Sequence, residues 1–128
     1  MASDKEVPAA LRSLLEGEGL DALWMPMDPA FDSETVRRLV FREAFRAGKP
    51  VFGFSATHVK EGAFATHGPD LASTGEEAAS LVQRFLSGDG RVDGVLLVPQ
   101  AEVAVNRSLA RMLRVPVPDE ALRGVKVY

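Results

Sequence analysis

The 128-residue chain contains no cysteine. That excludes disulfides, thiolate metal sites and cysteine nucleophiles. It leaves the compartment open, because exported bacterial proteins often lack cysteine too. Histidine is almost as scarce, with only His58 and His67. Neither belongs to a metal-binding helix motif such as H-E-x-x-H, so no metal or other cofactor is expected. Charge of one sign is barely in excess, 18 acidic side chains against 15 basic, and the two signs are interspersed. No electrostatic footprint for nucleic acid or an anionic membrane surface results. No apolar run approaches the roughly 20 residues needed to span a bilayer, so no membrane insertion is expected. The opening M-A-S-D-K-E-V-P-A-A-L-R has no continuous apolar stretch of the kind a signal peptide carries.

Phosphate-binding glycine motifs are missing as well. G-E-G-L-D-A (17–22) has no preceding strand, and the segment 88–94 lacks the Gly-Lys-Ser/Thr ending of a P-loop. No serine sits in a G-x-S-x-G elbow. A Ser55–His58 pair can be drawn, but no carboxylate is placed to orient it. Enzymatic activity is therefore not expected.

What the chain does contain is alternation. Leu11, Leu14 and Leu15 fall on one face of a predicted helix over 8–15, and D-A-L-W-M-P-M (21–27) reads as a buried strand. Trp24, in the middle of that strand, reads as a core residue. Asp32 or Ser33 caps a helix whose apolar positions are Val36, Leu39, Val40, Ala44 and Ala47. Its arginines 37, 38, 42 and 46 read as a solvated face. Gly48 and Pro50 end it. V-F-G-F-S (51–55) is a second strand, 56–61 a loop or single helical turn with His58 exposed, and G-A-F-A-T-H (62–67) a third strand. Ser73 and Glu76 resemble a capping box opening a helix with Ala78, Leu81, Val82 and Phe85 inward. Residues 92–99 read as a strand, 103–113 as a short strand entering a helix, and the end as one helical turn followed by an extended piece. Continuous apolar strands alternating with amphipathic helices imply one domain, 1–128. It is a three-layer α/β/α sandwich with a mainly parallel sheet.

In such sheets ligands gather beyond the carboxyl ends of the strands. Three strands here end in polar loops, at Met27-Asp28-Pro29, Ser55-Ala56-Thr57-His58 and Thr66-His67-Gly68-Pro69-Asp70. Parallel strands would bring these loops to one edge. Asp28 is the aspartate least readily assigned to a helix cap, whereas Asp70 is read as ordering its turn. Phe31 is open to stapling the next helix or to touching a ligand.

The stretches D-A-L-W-M-P-M-D (21–28), K-P-V-F-G-F-S (49–55), G-A-F-A-T-H-G-P-D-L-A-S-T-G (62–75) and V-A-V-N-R-S-L-A-R-M-L-R-V-P-V-P (103–118) together resemble a known family. It is that of the ABC transporter substrate-binding proteins, some of which bind tryptophan or other aromatic amino acids. Order and spacing agree from about residue 5 to 122. The resemblance implies a type I periplasmic binding protein fold, of which this chain would be the carboxyl-terminal lobe, and binding of a small organic solute, amino-acid-like among the candidates. It further implies a missing first lobe, an ABC permease as partner of the full protein, and a periplasmic or lipoprotein parent. The site it implies comprises Asp28, Ser55, Ala56, Thr57, His67 and Gly68, with no catalytic residue. His67 and Leu71 stand where the family commonly has tyrosines, and Met27 where it has threonine, so aromatic specificity does not carry over. A sensor domain of the same fold and a small α/β enzyme are the alternatives. Exposed apolar residues at Met25, Met27, Phe31 and Phe54 would favour a weak homodimer.

Overall fold

The computed structural model describes residues 6–88 and 101–128. The strand read at 92–99 lies outside the described residues. Along the chain run α1 (Val7–Glu16), β1 (Leu23–Trp24), a 3-10 turn (Pro29–Phe31), α2 (Glu34–Arg46), β2 (Val51–Gly53) and α3 (Ala56–Glu61). These are followed by β3 (Ala65–Pro69), α4 (Leu71–Leu86), β4 (Ala101–Val105), α5 (Arg107–Met112), a second 3-10 turn (Asp119–Leu122) and β5 (Lys126–Val127). The five strands form one sheet in the order β1-β2-β3-β4-β5. β1, β2 and β3 are parallel, β3 and β4 antiparallel, and β4 and β5 parallel again. The architecture is the expected α/β one with a mainly parallel sheet.

Local chemistry sets most boundaries. Gly48 takes φ +70° after α2, where its N–H meets the Phe45 carbonyl and the Lys49 N–H that of Ala44, both at 2.9 Å. This paired bonding closes the helix end in the Schellman pattern. β3 starts later and ends later than expected. Gly62, at φ +128°, terminates α3, so residues 62–64 serve as a connection. The five-residue antiparallel ladder with β4 then draws Thr66 to Pro69 into the sheet. α4 begins two residues before the expected cap. The Asp70 carboxylate accepts from the Ala72 and Ser73 N–H groups at 2.9 and 3.3 Å, so Asp70 and not Ser73 is the N-cap.

Two apolar clusters make the core. One joins Leu11, Met25, Val40, Phe41, Ala44, Val51 and Ala63, the other Phe64, Ala65, Val105, Leu109 and Ala110. Three expectations about packing fail. Trp24 is 74% exposed and outside the core. Its strand alternates correctly, but the side chain points to the face opposite Met25. α4 buries none of its described residues, and Val82 and Phe85 are open to solvent. Arg37 is no part of a solvated face. Its guanidinium forks onto Glu61 at 2.7 and 2.9 Å and also donates to the carbonyls of Phe31 and Asp32 at 2.8 and 2.7 Å. One side chain thus ties α2 to α3 and to the turn after β1. Arg38, Arg42 and Arg46 do remain on the surface, in ion pairs with glutamates of their own helix.

Candidate functional site

The parallel register of β1, β2 and β3 brings their carboxyl ends to one edge, where two of the three polar loops form a cleft and the first adds only Met27. The β2–α3 corner supplies Phe54, Ser55, Ala56 and Thr57, and the end of β3 supplies Gly68, Pro69 and Asp70. Met27, Leu71, Ala72, Glu102 and Lys126 complete a space of about 350 Å³. β2 stops at Gly53 because the chain turns at once into α3, with Ser55 at the N-cap position. The Ser55 hydroxyl caps no backbone N–H there.

Gly68 fixes how closely the two loops approach. A β-carbon at this position would fall 2.0 Å from the Phe54 carbonyl oxygen. Only glycine permits that backbone contact.

Antiparallel β4 starts where β3 ends, and the register places Glu102 opposite Gly68. Lys126, on neighbouring β5, ion-pairs with Glu102. The hydrogen bond that Lys126 donates to Glu102 raises its pKa above the ordinary lysine range. One cleft wall therefore carries hydroxyls and the opposite wall a fixed pair of opposite charges. Glu102 and Lys126 were invisible to sequence reading. Their proximity depends on the pairing of β4 with β5, and no local motif announces it.

Ser55, Ala56, Thr57 and Gly68 are thus brought together. Asp28 is not. It lies in a separate apolar groove beside α1 and β1, and its carboxylate accepts from the Ala30 N–H at 2.9 Å. It is the cap of the 3-10 turn, contrary to expectation. His67 lies within β3 opposite Val103, exposed and outside the cleft lining. Phe31 packs against the first core cluster.

His58 departs furthest from its expected exposed position. The single turn of α3 swings it inward to 5% exposure. Its ring stands edge-on to Phe54 at 4.3 Å between centroids, with Phe41 further off at 6.3 Å. A β-carbon on Gly53 would come within 2.9 Å of the imidazole. Nδ1 has no hydrogen-bond partner, and neither has the buried Thr66 hydroxyl. Burial holds the His58 pKa below the ordinary imidazole range, with Arg37 adding to the effect and Glu61 opposing it. Glu61 is itself held below the usual carboxylate range, chiefly by the hydrogen bond from Arg37.

Among the described residues no group of histidines and carboxylates is placed to hold a metal ion, and no helix is long and apolar enough to cross a membrane.

Several solved structures share this fold. A conserved domain protein from Vibrio cholerae superposes with a TM-score of 0.72 at 23% identity, covering 98% of this chain and 41% of that one. The ABC domain from Streptococcus pneumoniae, solved in complex with L-Trp, gives 0.76 at 20% identity, covering 100% and 44%. The open, ligand-free substrate-binding protein CD0873 from Clostridium difficile, which has adhesive properties, gives 0.75 at 20%, covering 100% and 42%. The chain spans less than half the length of each. No curated protein sequence matches it. The family model for ABC transporter substrate binding protein matches residues 1–126. The chain belongs to the ABC transporter substrate-binding protein family.

Proposed function

We propose that this chain is one wall of a solute-binding cleft, non-catalytic, which captures a small organic solute for an ABC permease. The observation that carries the reading is the convergence of the Ser55–Thr57 corner and the Gly68–Asp70 strand end on one polar-edged cleft. Hydroxyls at Ser55 and Thr57 suit a polar head group. The Glu102–Lys126 pair offers one anionic and one cationic partner, which suits a zwitterionic, amino-acid-like solute. L-Trp in the Streptococcus pneumoniae structure is consistent with that class. The aromatic residue nearest the cleft is Phe54, so a small polar amino acid is favoured over tryptophan.

Ser55, Ala56, Thr57 and Gly68 form the proposed wall. Asp28 and His67 are proposed as outer contacts, reached when a second lobe closes over the same edge. Hinged closure of two lobes would be driven by solute contacts made only in the closed form. A single lobe makes part of those contacts, so its own affinity should be weak. The proposed location is extracytoplasmic, as a part of a periplasmic or surface-anchored protein.

Calorimetry with a panel of amino acids and small carboxylates tests the reading, comparing wild type with Ser55→Ala, Thr57→Val, Asp28→Asn and His67→Ala. Loss of one neutral hydrogen bond should weaken binding by about three- to tenfold. Binding left intact by both Ser55→Ala and Thr57→Val would remove the cleft from consideration.

A further inference from the structure

Among the described residues two buried side-chain polar atoms lack a hydrogen-bond partner, His58 Nδ1 and the Thr66 hydroxyl. They lie around one spot. Gly53 and Thr66 are register partners on β2 and β3, so their side-chain positions fall on the same face of the sheet. The imidazole fills the place that a side chain on Gly53 would take, since a β-carbon there would stand 2.9 Å from Nδ1. Unmatched buried polar groups are costly and rare in native cores. An apolar side chain would pack at position 58 without that cost, so the imidazole calls for a role that apolar packing cannot fill.

The place of His58 behind the cleft indicates that role. Its ring meets Phe54 edge-on, and Phe54 lines the cleft next to Ser55, Ala56 and Thr57. The Phe54 carbonyl is in turn the group against which Gly68 abuts. The other ring beside His58, Phe41, is buried in the first core cluster, whereas Phe54 is only half-buried. The His58 backbone is fixed, because its carbonyl accepts from the Gly62 and Ala63 N–H groups at 3.0 and 2.8 Å. A ring that must seek water therefore has Phe54 as the neighbour able to yield. The charged groups acting on it are Arg37 of α2, which disfavours a proton, and Glu61 of α3, which favours one. Those two are paired with each other. On the sheet side Gly53, Phe54 and Thr66 carry no charge. A proton on His58 thus creates a buried positive charge whose Nδ1–H has no acceptor in reach. We propose that His58 is a positioning residue of the cleft: neutral, it holds Phe54 and the Ser55–Thr57 corner in the solute-receiving shape, and protonated, it displaces Phe54 and lowers solute affinity. This rests on the cleft being the solute site. Solute is then held at neutral pH and released on acidification.

His67→Asn, at an exposed position, leaves His58 as the single histidine. In that background, nuclear magnetic resonance from about pH 7.5 to 4.5 should show the Phe54 ring and the Gly68 amide moving with the His58 imidazole, on one midpoint below about 6.5. Phe54→Leu keeps the titrating ring and removes the coupling, so the Gly68 amide should stop following. A Gly68 shift that persists in Phe54→Leu is the bare field of the charge and overturns the proposal, as does a His58 that stays neutral until the chain unfolds. L-serine, a small zwitterion, is the binding probe. Its apparent Kd, by calorimetry on the wild type, should rise about tenfold per pH unit below the His58 midpoint, because only the neutral form binds. His58→Gln, neutral and of similar reach, should bind with no such slope. A flat wild-type profile, or a slope retained by His58→Gln, refutes the positioning role. Coupled shifts with no L-serine binding at any pH would sink the solute reading and leave the positioning role standing.

Discussion

Replacing Gly68 by alanine puts the cleft geometry to a quantitative test. The added β-carbon would stand 2.0 Å from the Phe54 carbonyl oxygen and 3.1 Å from its carbonyl carbon. Carbon–oxygen contacts close to about 3.3 Å at best, so the β2 and β3 ends must part by about 1.3 Å. Both partners are backbone, and no flexible side chain can absorb the clash. Overpacking of this kind costs about 1–3 kcal/mol or more, and the absence of a soft neighbour puts Gly68→Ala near the upper value. For a domain of this size, about 3 kcal/mol corresponds to a fall in Tm of about 9–15 °C. Gly75→Ala is the matched control. It is the same chemical change, inside α4, with nothing within 4 Å of the new carbon. Higher helix propensity should raise stability there by about 0.5–1 kcal/mol. Thermal and urea denaturation of both variants, followed by circular dichroism, decides the matter. Gly68→Ala within about 0.5 kcal/mol of wild type would refute the claim that the two loops are held in backbone contact.

Three further outcomes are expected. His58 is buried and its pKa lies below the imidazole value of the unfolded chain, so the unfolded state binds more protons as pH falls. Its stabilising contribution is complete above about pH 6.5 and is lost on acidification below that value. Urea midpoints should therefore fall between neutral pH and pH 5.5, and His58→Leu should flatten that slope. Glu61→Ala leaves the half-buried Arg37 guanidinium without its carboxylate and should cost about 1.5–3 kcal/mol. A double-mutant cycle with Arg37→Ala should then return a coupling above about 1 kcal/mol, little changed by added salt. Lys126→Met should weaken binding of a zwitterionic solute more than of its amide, measured by calorimetry, because only the free carboxylate uses the ammonium.

What the sequence could and could not convey follows from the range of the interactions. Helices and strands were legible because period 3.6 and continuous apolar runs are local patterns. Gly48 and Pro50 marked a real helix end for the same reason. The edge on which the strand-end loops gather followed from parallel pairing alone, so Ser55–Thr57 and Gly68 were found together. Failures came where a distant partner decides. Arg37 looked solvated because Glu61 lies 24 residues further on. Trp24 looked buried because mid-strand position does not say whether a helix covers that face. His58 looked exposed because of its polar neighbours Lys60 and Glu61, of which only Lys60 faces outward while Glu61 turns in to Arg37. Asp28 and Asp70 both proved to be caps, since a side chain that reaches its own following N–H groups needs no tertiary help to do so.

The two core clusters divide between Ala63 and Phe64, adjacent in the chain. Every buried contact in the first is made by residues that precede the boundary, and the second draws only on residues that follow it. Each still closes over a long stretch of chain, from Leu11 to Ala63 in the first and from Phe64 to Val105 in the second. A ribosome delivering this chain would complete the first core before any residue of the second had emerged. The surface on which β3 and the later elements assemble would already be in place, and Phe64 would be the first residue to be laid against it.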